Sequence, residues 1–276
     1  MATLNCNVPL SLLGDLTRAA AGDESVSHIV TAALSQYLNK PIHTLFQVST
    51  SGALVAGIYS GAVSSGLILQ HGDFGVGTFE NLDGEMVVLD GQVYRIQGDG
   101  TVSEAPTDTT APFAVVTRFA PQFDLEIAPA DSLNALRARC DAYRPSNNIF
   151  YAFRLDGRFH HVRTRAVSPP KGSHDRLVDA AKVQAEFEFS EIEGTLVGLW
   201  SPGFSSAFSI PGYHFHFLSD DRRHGGHLLE CSTAPLRLRR EELRNFHLAL
   251  PENESFLKAD LSKNAADELA YAEQAH

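Results

Sequence analysis

The sequence has few of the features that mark secreted, membrane-spanning or nucleic-acid-binding proteins. Its three cysteines, Cys6, Cys140 and Cys231, are far apart and form no CxxC pair, so neither a disulfide framework nor a thiolate zinc site is expected. No apolar run approaches the length of about 18 residues that a membrane-spanning helix needs. The net charge of −11 argues against a general nucleic-acid binder. The N-terminal residues lack the basic start of a secretory signal, and we expect a cytoplasmic protein with no nucleic-acid or membrane partner.

The pattern of apolar residues predicts helices near the ends and in the middle of the chain, with strands between them. Residues 9–20, 25–38 and 131–143 are predicted helices. The runs 86–96 and 150–165 each predict two strands joined by an Asp-Gly turn. Further strands are predicted over 113–119, 185–201, 213–219, 226–232, 234–239 and 244–250.

The order of these elements predicts an α+β fold. Strands mostly follow strands through short connections, which favours two mixed or antiparallel β-sheet halves with flanking helices over a doubly wound parallel sheet. We expect a helical extension over 1–40, a β-rich half over 41–143 and a second β-rich half over 144–276.

Histidine is concentrated in one stretch, "GYHFHFLSDDRRHGGH" (212–227), which holds four of the twelve histidines. In a strand, His214 and His216 project from the same face, and a turn ending in two glycines would bring His227 back beside them. Three imidazoles that leave one ligand position open are typical of a catalytic zinc site. The spacing therefore predicts a three-histidine metal site on strands of the second half. However, an HxH pair also occurs by chance. We interpret His224 as a solvated residue of the turn.

Two other polar segments are candidates for a site. The glycines of "HGDFGVGTFENLDGE" (71–85) have the wrong order and context for a phosphate-binding loop, so we interpret the segment as an irregular turn that presents Glu85. Arg163 and Arg165 are at strand spacing on one face of the run 150–165. Such a pair is more often part of a salt-bridged surface than a substrate anchor, and both interpretations stay open here.

Taken together, these stretches resemble the alpha-acetolactate decarboxylase family. The resemblance rests on ordered segments over about residues 44–276: "TLFQVSTSGALVAGIYSG", "HGDFGVGTFENLDGE", "APFAVVTRFAPQ", "FRLDGRFHHVRTRAV", "GTLVGLWSP" and "PGYHFHFLSDDRRHGGHLLE". One departure is Ser60 in "GIYSG", where the family often has an acidic residue.

The resemblance implies a set of site residues. The zinc ligands would be His214, His216 and His227, and the catalytic residues Glu85, Arg165 and a glutamate near the C-terminus. Counting on from "ADL" (259–261) points to Glu273 as that glutamate, with Glu268 as the alternative.

The resemblance also implies the reaction. The family converts 2-acetolactate to (R)-acetoin and carbon dioxide through a metal-stabilised enediolate, with Zn²⁺ or another divalent ion and no organic cofactor, and it is commonly a homodimer. Two alternatives stay open: another three-histidine metal enzyme, such as a hydrolase or an iron dioxygenase, and a metal-binding relative that has lost turnover.

Overall fold

The structure is a computed structural model that describes residues 4–20, 25–38, 42–169, 184–262 and 268–269. The chain separates into two compact units, Met1–Ile42 and His43–His276. None of the described helices combines the length and the apolar character that crossing a membrane requires. The predicted domain boundaries at residues 40 and 143 stay predictions.

The described part of the first unit contains two helices, α1 (Leu10–Ala19) and α2 (Val26–Tyr37), which begin and end within one residue of the predicted helices. No residue of α1 is buried, and Leu10 is 85% exposed.

The second unit is mostly β-structure. Its strands are, in chain order, β1 (Thr44–Val48), β2 (Val63–Ser64), β3 (Phe74–Thr78), β4 (Glu85–Leu89), β5 (Gln92–Ile96), β6 (Val102–Glu104), β7 (Thr110–Ala111), β8 (Phe113–Thr117), β9 (Phe123–Ile127), β10 (Phe150–Ala166), β11 (Ala185–Ser201), β12 (Gly212–Ser219), β13 (Gly225–Leu243) and β14 (Asn245–Ala249). The helices described in this unit are α3 (Ser51–Val55), α4 (Ser65–His71), α5 (Leu133–Asp141) and α6 (Glu254–Lys258).

One sheet has seven strands in the order β14-β1-β8-β3-β4-β5-β6. All neighbours are antiparallel except β1 and β14, which run parallel, so the sheet is mixed. The hairpin predicted at 86–96 is confirmed. Asp90 and Gly91 both have positive φ, 52° and 79°, which is the conformation of a two-residue turn between twisted strands.

The other sheet closes on itself. Its order is β10-β11-β12-β13-β9, and β10 also pairs with β13, so the hydrogen bonds of β10, β11, β12 and β13 form a closed cycle. Large side chains of these strands, among them Tyr151, Phe153, Phe159 and Phe217, are fully buried in one core together with Leu136 of α5. These strands are referred to below as the barrel.

The seven-stranded sheet packs one face against the barrel. The core between them contains Leu45, Val76 and Val87 from the sheet and Val197 and Leu218 from the barrel. Each fully buried valine or leucine contributes about 1.5–3 kcal/mol to stability, so this core fixes how the two sheets face each other. The opposite face of the sheet has its own core, which includes Phe46, Ile68 and Met86. The predicted α+β fold with mixed and antiparallel sheets and flanking helices is confirmed.

The predicted turn at Asp156-Gly157 is wrong. Both residues lie inside β10, which runs without a break from Phe150 to Ala166 and pairs with β11 on one side and β13 on the other. The register to β13 shifts just after Gly157, which marks a β-bulge and not a reversal. Asp156 accepts hydrogen bonds from Arg154, Arg239 and Thr195, so its carboxylate is paired across three strands.

Two other predictions differ from the structure for related reasons. The strands predicted at 226–232 and 234–239 are one strand, β13, because Pro235 is accommodated within it. The irregular turn predicted from residue 71 begins only at Phe79, since Gly75 and Gly77 lie in β3. A side chain at Gly75 would place its Cβ 2.1 Å from the carbonyl oxygen of Val115, so the glycines serve close strand packing and not a phosphate loop.

The position of Asp156 in the barrel leads to a stability prediction. Asp156→Asn should lower the free energy of unfolding by about 2 kcal/mol, because it leaves Arg154 and Arg239 without their shared carboxylate at a mostly buried site. Urea unfolding followed by the fluorescence of Trp200, the single tryptophan, would measure the change.

Asp124→Asn is the matched control, since Asp124 pairs with Arg237 on the exposed surface and its removal should cause no measurable change. Equal effects of the two substitutions would contradict the structural role given to Asp156.

Candidate metal centre

The alternation of side chains along β12 separates its imidazoles from its aromatic rings. Phe215 and Phe217 belong to the core that the barrel strands share with α5. Leu218, on the other face, belongs to the core between the two sheets, and His214 and His216 share that face. Both histidines are buried, with 9% and 1% exposure.

His227 joins them from the neighbouring strand. It lies directly opposite His216 in the register of β12 and β13 and is 4% exposed. The preceding residue, Gly226, has φ of +131°, and a Cβ there would lie 2.5 Å from the carbonyl oxygen of Arg165. The approach of β13 to β10 at this point therefore requires glycine.

The ligand nitrogens of the three imidazoles converge. His214 Nε2 lies 3.1 Å from His216 Nε2 and 3.1 Å from His227 Nδ1, and all three atoms lie within 4.8 Å of one another. Two nitrogens bound to one tetrahedral zinc ion at about 2.05 Å each are about 3.3 Å apart. The observed spacing therefore fits a divalent ion. Among the described residues this is the one such group of histidine, cysteine, aspartate or glutamate side chains.

A backbone group of the seven-stranded sheet sets the tautomer of His216. The carbonyl oxygen of Met86, on β4, lies 2.8 Å from His216 Nδ1. A carbonyl can only accept, so Nδ1 carries the proton and Nε2 presents its lone pair to the cluster. Such outer hydrogen bonds orient metal-binding histidines. This contact cannot be predicted from the sequence, because a backbone acceptor leaves no signal in residue identity.

Burial keeps the imidazoles of His214 and His216 neutral. It lowers the pKa of His214 to about 3, with a further contribution from the charge of Arg165. Burial, followed by the proximity of His214, lowers the pKa of His216 well below its ordinary value. Both rings are therefore unprotonated at neutral pH, which is the form that binds a metal ion.

Arg165 lies beside this cluster. It is directly opposite His227 in the register of β10 and β13, so His216, His227 and Arg165 form a row across three adjacent strands. Arg165 is 5% exposed, and its Nη1 donates a hydrogen bond to Oε1 of Gln184.

Glu85 approaches the cluster from the opposite side, as the first residue of β4. It is buried, and its Oε2 lies 3.6 Å from His216 Nε2. The structure thus brings the three histidines, Arg165 and Glu85 together. Glu85 precedes the other four residues by 80 to 142 positions in the sequence, and the packing of the two sheets brings it to the cluster.

The remaining residues singled out from the sequence are Glu273, Glu268, Arg163 and Ser60. Glu273 lies outside the described residues, and Glu268 is half-buried beside Leu269, which belongs to the core between the sheets. Arg163 pairs with Glu186 at the surface, so the two arginines of the strand have different environments. Ser60 is hydrogen-bonded to Ser255 at the start of α6.

The sequence matches known proteins over most of its length. Residues 45–263 match the family model described as alpha-acetolactate decarboxylase. The alpha-acetolactate decarboxylase of Methylococcus capsulatus is 38% identical over 231 residues, which cover 84% of this chain and 89% of that protein. The enzyme of the same name from Bacillus licheniformis is 36% identical over 229 residues, which cover 83% of this chain and 90% of that protein.

The fold gives the same result. The crystal structure of alpha-acetolactate decarboxylase from Bacillus subtilis strain 168 superposes with a TM-score of 0.81 at 33% identity, covering 84% of this chain and all of that one. The resemblance stated from the sequence segments is confirmed, and the chain belongs to the alpha-acetolactate decarboxylase family.

Proposed function

We propose that the protein decarboxylates 2-acetolactate to (R)-acetoin and carbon dioxide. The observation that carries the proposal is the convergence of three buried imidazoles beside a buried arginine and a buried glutamate, in a member of this family. An unrelated metal hydrolase would have no reason to share this family's sequence over residues 45–263.

The chemical problem is the electron pair left on carbon 2 when carbon dioxide departs. The neighbouring ketone accepts that pair, so the reaction needs no organic cofactor. A divalent ion held by His214, His216 and His227 would act as a Lewis acid that stabilises the developing negative charge. Neutral imidazole ligands leave the charge of such an ion undiminished, and we propose Zn²⁺ because three imidazoles with one open position suit it.

Arg165 is proposed to bind the substrate carboxylate. Its guanidinium offers planar, charge-assisted donors, and its burial excludes the water that would compete for the carboxylate. Once carbon dioxide has left, the positive charge of the guanidinium would lie near the negative charge of the enediolate.

Glu85 is proposed to orient the substrate hydroxyl and to move a proton. Its carboxylate faces His216 from the other sheet, so it reaches the substrate from the side opposite the barrel. Protonation from one fixed side is what a single enantiomer of acetoin requires. Glu273, with Glu268 as the alternative, is proposed as a second carboxylate by resemblance to the family.

Location and assembly are proposed on narrower grounds. Cys6, Cys140 and Cys231 are all free thiols, which suits a reducing, cytoplasmic location. We propose a homodimer on the ground of the family resemblance alone.

The first prediction concerns the reaction and the metal. The purified full chain should form acetoin from racemic acetolactate, lose that activity after treatment with a chelator and regain it when Zn²⁺ is added back. Acetoin is measured colorimetrically, and its enantiomer by chiral gas chromatography. Folded, zinc-loaded protein that forms no acetoin would contradict the proposal and leave a metal-binding relative without turnover.

The second prediction concerns the ligands. His214→Ala should weaken zinc binding at least about a hundredfold, since it removes a direct ligand and outer-sphere changes alone cost about 10–100-fold. Competition with a chromophoric chelator measures the affinity. His160→Ala is the control, because His160 is exposed and contacts Glu191 instead. Unchanged zinc affinity in His214→Ala would rule out the three-histidine site.

The third prediction separates catalysis from metal binding. Glu85→Gln should lower kcat by about a hundredfold or more, because the amide cannot exchange a proton, while zinc content stays near one ion per chain. Steady-state kinetics and metal analysis of the same sample test this. Glu80→Gln should leave kcat within about twofold, since Glu80 is exposed and hydrogen-bonded to Thr110. A full loss of zinc in Glu85→Gln would show instead that Glu85 is needed to hold the ion.

A further inference from the structure

The pairing of β13 with β10 is interrupted shortly before it reaches the metal centre. Arg163 lies opposite Glu230, but the next residue of β10, Thr164, lies opposite Leu228. Leu229 therefore has no opposite residue on β10, and β13 contains one residue more than β10 at this point, as in a β-bulge. The bulge sets the register of the residues between it and the start of β13, which include the third ligand histidine.

The side chains around the bulge show its effect on the two faces of β13. Leu228 and Cys231 both belong to the core that the barrel strands share with α5. In a regular strand, side chains three positions apart face opposite sides, so the alternation is broken between these two residues. His227, next to Leu228, lies opposite His216 on the face of the metal centre. The bulge thus allows Leu228 to enter the core and His227 to enter the cluster.

A regular pairing of the same residues would remove the ligand from the cluster. Without the bulge, Leu229 would lie opposite Thr164, and His227 would take the position that Gly226 has now. Such a slip by one residue moves every side chain to the other face of the strand. Because residues 228 and 229 are both leucine, either register fills the core with a leucine. Apolar burial alone therefore does not select the register that forms the metal site.

Two features of β10 favour the bulged register. A Cβ at the position of Gly226 would lie 2.5 Å from the carbonyl oxygen of Arg165 and 3.0 Å from Cβ of Thr164, so His227 cannot take that position. Thr164 is fully buried, and its Oγ1 donates a hydrogen bond of 2.9 Å to the carbonyl oxygen of Gly225. Successive glycines have the most freedom of any backbone, and this hydrogen bond restricts it immediately before the ligand.

We infer that Thr164 is a positioning residue for the metal centre. Its hydroxyl holds Gly225 and Gly226 in the bulged register, so that the imidazole of His227 reaches the other two ligands. The inference rests on the proposed function only through the three-histidine metal site, and it is independent of the reaction that the site catalyses.

Thr164→Val tests the hydroxyl, because valine keeps the branched shape and loses the donor. In the full chain, below its unfolding temperature, this variant should bind zinc about tenfold more weakly, as expected when a group that orients a ligand is lost. Thr164→Ser keeps the hydroxyl and should bind zinc within about threefold of the unmodified protein. Competition with a chromophoric chelator measures the affinities.

Thr195→Val is the matched control. Thr195 is also a buried barrel threonine, but its hydroxyl donates to Asp156 and not to the segment that carries the ligand. This variant should lower Tm and leave zinc affinity within about twofold. A purely structural role for Thr164 would give the same pattern in Thr164→Val, with a lower Tm and an unchanged zinc affinity of the folded protein.

A double-mutant cycle tests the route through His227. If Thr164 acts by placing this imidazole, Thr164→Val should change zinc affinity less than about twofold once His227→Ala has removed the ligand. In the background of His214→Ala, whose remaining ligands include His227, the same substitution should still weaken zinc binding. Equal effects of Thr164→Val in the unmodified and His227→Ala proteins would contradict the inference.

The remaining outcomes separate the inference from the proposed reaction. Unchanged zinc affinity in Thr164→Val, or an equal loss in Thr195→Val, would show that the inference is wrong. An unmodified protein that binds no zinc would overturn both the metal site and the inference. A protein that binds zinc through His227 with the expected dependence on Thr164, but forms no acetoin, would overturn the reaction and support the inference.

Discussion

The candidate site depends on one hydrogen bond between two sheets. His216 belongs to the barrel, and the carbonyl of Met86 belongs to the seven-stranded sheet; their contact sets which imidazole nitrogen faces the cluster. Glu85, the residue before Met86, approaches His216 through the same packing. The core between the sheets, with residues such as Val87 and Leu218, therefore does more than stabilise the fold, because it holds the carboxylate and the imidazoles in one place.

The electrostatics of the site follow from burial. Imidazoles that lose contact with water lose their tendency to be protonated, and the positive charge of Arg165 acts in the same direction. Imidazoles that are neutral at neutral pH, as His214 and His216 are, can accept a cation without first releasing protons. Arg165, buried in the row with His216 and His227, adds a positive charge to the site. The combination suits a substrate that brings a carboxylate and leaves as a neutral product.

Local sequence pattern predicted much of this arrangement. The i, i+2 spacing of His214 and His216 placed them on one face of a strand, and the two glycines before His227 indicated a tight return, both of which depend only on strand geometry. The Asp-Gly pair at residues 90 and 91 predicted a hairpin for the same local reason.

Features that depend on tertiary packing were missed or misread. Asp156-Gly157 has the same residue types as the turn at Asp90-Gly91, yet it lies within a strand because its own strand and the two strands beside it supply partners for the aspartate. Local preference was overridden by contacts that no short window contains. The contacts of Met86 and Gln184 were missed for a similar reason. The Met86 carbonyl contacts His216 and the Gln184 amide contacts Arg165, and only the folded structure brings these pairs together.

The barrel explains why the site's residues could be spread so widely along the chain. Because β10 pairs with β13 along most of its length, and β12 pairs with β13 near its start, His216, His227 and Arg165 become neighbours in one row. The row requires β10 and β13 to approach closely at Gly226, where a Cβ would strike the backbone of Arg165. Gly226 therefore allows the close approach that positions both His227 and Arg165. The same backbone contact that allows the third imidazole to enter the cluster also fixes the strand position of the charge proposed to bind the substrate.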